Sequence, residues 1–316
     1  MKILITGGAG FIGSHLAELL ISEGNQVIAL DNQSTGSAKN LNPSSNLEVI
    51  KGSILDSNLV DSLISKVTVC FHLAAALGVK NIVEYPLESL ETNIKGSEIV
   101  LNAATKYQVR TLLASSSEVY GKNPNQPLTE DSDRVLGSPK VARWSYSEAK
   151  AVDEFYAFQL NKQKKLPVTI ARLFNTVGPR QSGSYGMVLP RFVSAAASNQ
   201  PLTVYGDGSQ SRTFSAVSDV VAALNELLKS DSTIGEVFNV GGNQLITIKA
   251  LAEKVIKLTN SNSKIEYKTY KEVYGADFEE PNSRVPDINK IKSAIGWSPK
   301  KGLDEIITEL ATHMKK

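Results

Sequence analysis

Tyr146 and Lys150 stand four residues apart in the run Tyr146-Ser147-Glu148-Ala149-Lys150. On a helix that spacing puts phenol and ammonium one turn apart on the same face. A phenol titrates near pH 10, at about three units above neutrality, and is a poor base there. A neighbouring ammonium favours phenolate. The pair can then take a proton from a hydroxyl while hydride leaves the same carbon. Tyrosine and lysine at this spacing are common on exposed helices, so the weight comes from their context. A second stretch, Ala114-Ser115-Ser116-Ser117-Glu118-Val119-Tyr120-Gly121, follows an apolar β-branched run and offers hydroxyls and one carboxylate.

The elements that must position these groups begin with Thr6-Gly7-Gly8-Ala9-Gly10-Phe11-Ile12-Gly13. Glycines between a first strand and a first helix permit a tight turn and let the backbone approach a pyrophosphate. The phosphate meets the unpaired N–H groups of the helix start. Asp31 lies 18 residues beyond Gly13 at the end of the next apolar run. There a carboxylate can accept from both ribose hydroxyls and repel a 2′-phosphate, which favours NAD over NADP. The competing reading of Asp31 is a turn former at a strand end.

The spacing predicts strands at Lys2–Thr6, Val27–Asp31, Leu47–Ile50, Val67–Leu73, Thr111–Ser115 and Val168–Arg172. Ile12, Leu16, Leu19 and Leu20 fall on one helical face, with Gly24 as its C-cap. A helix is expected from about Tyr146 to Lys162. Such alternation predicts a doubly wound parallel α/β sheet covered on both faces. Beyond Gly178 come Gly-, Ser- and Pro-rich loops, a strand Glu236–Val240, a helix Ile248–Thr259 and a last helix from near Leu303. The expected organisation is a nucleotide-binding lobe over 1–178 and about 213–243. A smaller α/β lobe covers about 179–212 and 244–316.

Composition narrows the partners. The 316 residues carry 34 Lys and Arg against 32 Asp and Glu, a net charge of +2. No excess field serves nucleic acid or anionic lipid, so phosphate recognition must be local. No apolar run approaches the roughly 20 residues that span a bilayer. The start of the chain does not read as a signal peptide, because Lys2 leads directly into a strand and a glycine loop. The single cysteine, Cys70, excludes an internal disulfide, fits a reducing compartment and reads as a small core residue. His15, His72 and His313 lack ligand spacing, and no metal site is expected.

Taken together, these residues resemble the extended short-chain dehydrogenase/reductases of the nucleotide-sugar epimerase, dehydratase and decarboxylase group. The likeness runs over essentially the whole chain. Besides the motifs above it includes Phe71-His72-Leu73-Ala74-Ala75, Asn93, Arg172-Leu173-Phe174-Asn175-Thr176-Val177-Gly178-Pro179-Arg180 and Pro201-Leu202-Thr203-Val204-Tyr205-Gly206-Asp207-Gly208. The resemblance implies a Rossmann-type fold with a smaller substrate lobe, and NAD that stays bound. It assigns to NAD the residues Gly7, Gly10, Phe11, Ile12, Gly13, Asp31, Asn32, Ser53 and Ile54. Leu73, Ala74, Ala75, Asn93 and Ser115 join them, with Tyr146 and Lys150. Many members carry Asp where Ser53 stands and use it on the adenine; Ser53 can still form a hydrogen bond.

For the substrate, the resemblance implies a nucleotide diphosphate, best UDP, held by Asn175 and Arg212 with Val188, Arg191 and Tyr205 nearby. An arginine fork suits phosphate, and the alternative for Arg212 is a surface ion pair. Tyr205 lies by the base or serves packing, and Tyr120 and Tyr185 fall near expected loops. A cytoplasmic homodimer is implied, with the helices around Asn93–Lys106 and Tyr146–Lys162 as its interface.

Three reactions branch from a 4-keto sugar in this group: epimerisation, loss of water, and loss of carbon dioxide from a C5 carboxylate. Dehydratases of the group usually place Asp where Ser117 stands, and serine is a far weaker acid. Galactose-type 4-epimerases usually lack an acid at the Glu118 position. UDP-glucuronate decarboxylases read Ser-Thr-Ser-Glu-Val-Tyr-Gly, matched here with Ser116 at the Thr. Ser283-Arg284-Val285-Pro286-Asp287-Ile288 is similar to the decarboxylase segment whose arginine lies at the active site, and Arg284 can pair bidentately with a sugar carboxylate. Arg143-Trp144-Ser145-Tyr146 is similar to the run before the catalytic tyrosine in the decarboxylase domain of aminoarabinose synthesis. The expected catalytic set is Tyr146, Lys150, Ser116, Ser117, Glu118 and Arg284. UDP-glucuronate decarboxylation is the leading expectation and UDP-sugar 4-epimerisation the second. A 4,6-dehydratase, a net 4-dehydrogenase and a non-catalytic NAD-binding protein follow.

Overall fold

A computed structural model describes residues 1–78, 85–183, 187–274 and 279–314. Tyr185 lies outside the described residues. The first half alternates β1 (Lys2–Thr6), α1 (Phe11–Ser22), β2 (Gln26–Asp31), β3 (Leu47–Lys51), α2 (Ser57–Ile64) and β4 (Val69–His72). It continues with α3 (Pro86–Tyr107), β5 (Arg110–Ser116), α4 (Ser145–Lys164) and β6 (Val168–Leu173). Then come β7 (Thr176–Val177), α5 (Val188–Ala197), β8 (Leu202–Tyr205), β9 (Ser211–Arg212), β10 (Ser215–Ala216), α6 (Val217–Lys229) and β11 (Val237–Val240). The last part holds β12 (Ile246–Thr247), α7 (Ile248–Thr259), β13 (Ile265–Lys268), α8 (Tyr270–Tyr274), β14 (Ser283–Arg284), α9 (Asn289–Ile295) and α10 (Leu303–Met314).

Seven strands form one sheet in the order β11-β6-β5-β4-β1-β2-β3, and every pairing in it is parallel. Side chains alternate between its faces. Ile3 and Ile5 of β1 pack with α1 and α6 on one face, through Leu16, Leu20, Val220 and Leu224. Leu4 between them packs on the other face with α2 and α3, through Val60, Leu63, Val100 and Leu101. Burial on both faces is why these strands read as continuous apolar runs. The strand predicted over Val67–Leu73 is shorter, because the Val67 N–H turns back to the Ile64 carbonyl and belongs to the exit from α2. Glu23 caps α1, and Gly24 follows it at φ +83. Cys70 is fully buried, and burial pushes its thiol up to about 12.

A separate apolar cluster joins α5, α7 and α10 with β8, through Phe192, Leu202, Leu251 and Leu310. Here β13 pairs with β8, while β9 is flanked by β12 and β14. In the β9–β14 pair, Arg212 and Arg284 are register partners. No helix among the described residues is long and apolar enough to cross a membrane.

Candidate active site

Strand order reverses between β1 and β4, and ligands of open α/β sheets bind at the carboxyl ends near such a point. A cleft of about 790 Å³ opens there, running from the glycine loop to the β9–β14 arginines. Gly7 adopts φ +71, which favours glycine. A Cβ on Gly13 would stand 2.1 Å from the Gly7 carbonyl oxygen, so only glycine lets α1 start this close to β1.

Asp31 at the end of β2 lines the cleft. Its Oδ2 accepts the Ala9 N–H at 3.0 Å and its Oδ1 the Gln33 N–H at 2.7 Å. It therefore shapes both its own turn and the glycine loop, as the turn-forming reading expects, while its position on the cleft leaves it within the dinucleotide end. Gly7, Gly10, Phe11, Ile12, Asn32, Ile54, Leu73, Ala74, Ala75 and Ser115 also face the cleft. Two predicted contacts do not. Ser53 turns its hydroxyl to the Leu55 N–H instead, at 3.1 Å. Asn93 is buried behind the wall, where its amide accepts from Ala76 N–H at 2.8 Å and donates to Ala76 O at 3.0 Å. It holds the segment after β4 in place.

At the other end, β5 delivers Ser115 and Ser116, and a single turn over Ser117–Tyr120 follows. Ser116 Oγ caps that turn by accepting the Glu118 N–H at 3.2 Å. Ser147 of α4 donates to the Glu118 carbonyl at 2.7 Å, which ties the turn to the start of α4. Tyr146 and Lys150 then face the cleft beside Ser116 and Ser117. Lys150 is 2% exposed and its Nζ lies 3.1 Å from Asp153 Oδ2. Burial disfavours the ammonium, but Asp153 and Tyr146 more than offset it, and Lys150 titrates above its ordinary value.

At Tyr146, Lys150 acts in the expected direction but does not prevail. Burial pushes the phenol up, Lys150 pulls it down, and Glu118 and Asp153 push it up again, leaving it above its ordinary value. The ammonium alone does not produce a low phenol, because burial outweighs it and Glu118 and Asp153 add to the rise.

The charges that line the cleft with Tyr146 come from four places in the chain. Arg143 donates Nη1–H to Glu118 Oε2 at 2.6 Å and Nη2–H to Oε1 at 3.0 Å. Arg284 reaches Glu118 Oε1 at 2.5 Å. Burial disfavours the Glu118 carboxylate, but the two guanidiniums outweigh this and hold it far below the usual carboxylate range. Glu118 is thus an anion at working pH and no proton donor. Two arginines on one glutamate leave a net charge of +1 in this group. Arg212, buried rather than on the surface, pairs with Glu280.

Asn175, Val188, Arg191 and Tyr205 line the cleft between these ends. Asn175 Nδ2 donates to the Thr213 carbonyl at 2.9 Å. The Arg191 guanidinium lies 4.0 Å from the Tyr205 ring centroid, a flat platform that suits a base or ribose. Reasoning from sequence named Arg143 within a motif without giving it a role, and passed over Glu280 and Asp153. The three-residue step from Lys150 to Asp153 on one helix was a signal for the last. Glu280 had none, because only folding brings it to Arg212.

The geometry can therefore cradle a dinucleotide at one end, and at the other hold an anion beside a group that takes a proton. Residues 4–310 match the family described as GDP-mannose 4,6 dehydratase. A UDP-N-acetyl-alpha-D-glucosaminuronate decarboxylase from Bacillus cytotoxicus is 42% identical over 312 residues, covering 97% of this chain and 96% of that protein. UDP-glucuronic acid decarboxylase 4 of Arabidopsis thaliana is 35% identical over 308 residues, 96% of this chain and 66% of that one. Among solved structures, a tyrosine-to-phenylalanine mutant of Bacillus cereus UDP-glucuronic acid 4-epimerase, in complex with UDP-4-deoxy-4-fluoro-glucuronic acid and NAD, superposes with a TM-score of 0.89. It is 26% identical and covers 100% of this chain and 99% of that one.

Proposed function

The chain belongs to the GDP-mannose 4,6-dehydratase family of extended short-chain dehydrogenase/reductases, and on that premise we propose that it decarboxylates a UDP-linked hexuronate with NAD as resident cofactor. The observation that carries this reading is the Glu118 carboxylate clasped by Arg143 and Arg284 in the cleft that Tyr146 also lines. A surplus positive charge in this group suits a C5 carboxylate, which a neutral sugar lacks.

NAD fits the glycine loop, the α1 N-terminus and Asp31, whose charge opposes a 2′-phosphate, and it supplies a hydride acceptor and donor at the sugar carbon. The chain's own residues do the rest. Tyr146 takes the C4 hydroxyl proton, Ser116 bonds to Tyr146, and Lys150 keeps positive charge beside the phenol. A C5 carboxylate next to a C4 ketone is a β-keto acid, which loses carbon dioxide readily. Glu118 already engages both arginines, so the substrate carboxylate competes for them and is held less tightly than in a lone pair. As carbon dioxide departs, the electron pair of its bond to C5 passes to the C4 oxygen as an enolate, and a proton drawn from solvent completes C5. Arg212, Asn175 and the Arg191–Tyr205 platform are assigned to the diphosphate, ribose and base.

The second reading, a UDP-sugar 4-epimerase, is favoured by the likeness to the Bacillus cereus 4-epimerase. The deciding experiment is NMR of the protein with NAD, offered UDP-glucuronate and UDP-N-acetylglucosaminuronate separately. A UDP-pentose with release of carbon dioxide is expected. A 4-epimer with its carboxylate intact overturns the decarboxylase in favour of the second reading.

Three wider assignments accompany this reading. The separate apolar cluster of α5, α7 and α10 supports a nucleotide-binding lobe over 1–178 and about 213–243 and a substrate lobe over the remainder. The chain works in the cytoplasm as a homodimer. Its interface is the α3–α4 face, where Val152 and the 67% exposed Phe155 offer apolar surface, and sedentation to a monomer mass in equilibrium ultracentrifugation would refute the dimer.

A further inference from the structure

Behind the cleft a line of polar side chains crosses the core without opening to solvent. Thr6 on β1, His72 on β4, Ser97 on α3, and Asp153 and Lys150 on α4 are each no more than 2% exposed. Thr6 Oγ1 lies 2.7 Å from His72 Nδ1, His72 Nε2 lies 3.1 Å from Ser97 Oγ, and Ser97 Oγ–H donates to Asp153 Oδ2 at 2.9 Å. Lys150 Nζ closes the line on the same oxygen at 3.1 Å.

Donor counting orients it. The one Ser97 hydrogen goes to the carboxylate, so Ser97 accepts from His72 Nε2–H. His72 Nδ1 then accepts from the Thr6 hydroxyl, which in turn accepts the Ala74 N–H at 3.2 Å. Every donor points towards Asp153. The neutral imidazole this needs agrees with His72, whose pKa burial, and next the Lys150 charge, lower to about 3.

We propose that Asp153 is a positioning residue for the Tyr146–Lys150 pair, the terminal acceptor of an oriented hydrogen-bond line that ties Lys150 to the Ala74 backbone on the cleft wall. This rests on the reading of Tyr146 and Lys150 as the proton-transfer pair. A buried Lys150 without a carboxylate is free to swing or to lose its charge. Asp153 prevents both, and the line behind it fixes where Asp153 sits. Because Ala74 also faces the dinucleotide end, one rigid element sets the ammonium relative to that wall.

The other charged groups around Asp153 do not replace it. Glu154 on the same helix is committed to Arg172 of β6 at 2.7 Å. Glu118 is held by Arg143 and Arg284, and His72 is neutral. The Asp153 charge raises the proton affinity of both Tyr146 and Lys150. Removing it must therefore lower the pH at which the pair gives up its first proton, whichever group loses it.

The test is Asp153→Asn, which keeps the shape and removes the charge, with Asp153→Ser as the alternative should the amide not pack. Two readouts are taken: the acid limb of the kcat profile with UDP-glucuronate, and the pH titration of Tyr146 by NMR of ring-labelled tyrosine, assigned with Tyr146→Phe. The first step in each, which the Tyr146 ring senses whether it or Lys150 yields the proton, is expected to move to lower pH by about one to three units. A first step at the wild-type pH in both readouts overturns the proposal and leaves Asp153 a packing residue. If the wild type turns over no UDP-hexuronate, the functional reading fails by itself. The tyrosine titration, which needs no substrate, still decides this one.

Discussion

The two ends of the cleft are built on opposite principles. The dinucleotide end is made of backbone: glycines, the first turn of α1 and one carboxylate, Asp31, whose oxygens brace the loop. The other end is made of side chains, with Arg143, Arg284, Glu118, Arg212 and Glu280 packed as ion pairs in the cleft that Tyr146 lines. Backbone recognition is rigid and indifferent to pH. Paired charges are selective because each unmet partner in a buried site is expensive. The difference teaches where chemical choice would lie in this fold: on the proposed function, the first end selects a cofactor and the second decides which sugar reacts and how.

Substitutions at either end can break that comparison. Tyr146→Phe removes the proton acceptor alone, and turnover should fall about a thousandfold, with NAD affinity unchanged by calorimetry. Near-normal turnover would assign the base to another residue. Gly13→Ala attacks the opposite end. Its Cβ meets backbone at 2.1 Å, and about 1–3 kcal/mol of strain should weaken NAD affinity roughly ten- to a hundredfold. Affinity equal to wild type would remove the tight α1 approach from the argument.

Arg284→Ala tests the charge logic of the sugar end. A lost charge-assisted bond of about 1.5–3 kcal/mol should lower kcat/KM for a UDP-hexuronate about ten- to a hundredfold. A neutral UDP-hexose should bind almost as before, and equal losses on both would take the carboxylate away from Arg284.

The smallest effect concerns the wall shared by both ends. His72 has a folded pKa of about 3 against an ordinary 6.5. The unfolded imidazole therefore binds a proton that the folded ring refuses between those values, and stability falls as pH drops through that window. Urea midpoints at pH 7 and 5 should differ more for the wild type than for His72→Gln. Equal differences would show that other groups set the acid sensitivity.

Much of the frame was legible in the chain because its causes are local. The helix expected at Ile248–Thr259 runs over those residues, with Thr247 capping it by accepting the Ala250 N–H. β1, β2 and β5 lie within a residue of their predicted bounds, because β-branched runs between turn formers have few alternatives. Ser53 and Asn93 were assigned by likeness to related chains. Their side chains turn to Leu55 and Ala76, contacts that depend on the path of a loop and on a helix packed behind a strand.

What the amino-acid sequence determined by itself is what periodicity and spacing encode: the parallel sheet, the glycine loop, and a tyrosine one turn before a lysine. Only the tertiary structure decided which charge answers which. Arg212 and Arg284 became neighbours through β-pairing, Glu118 became the anion between Arg143 and Arg284, and Asp153 became the partner of Lys150. The physical reason is that electrostatic energy depends on distance through space and on burial. Neither quantity exists along a chain until it has folded.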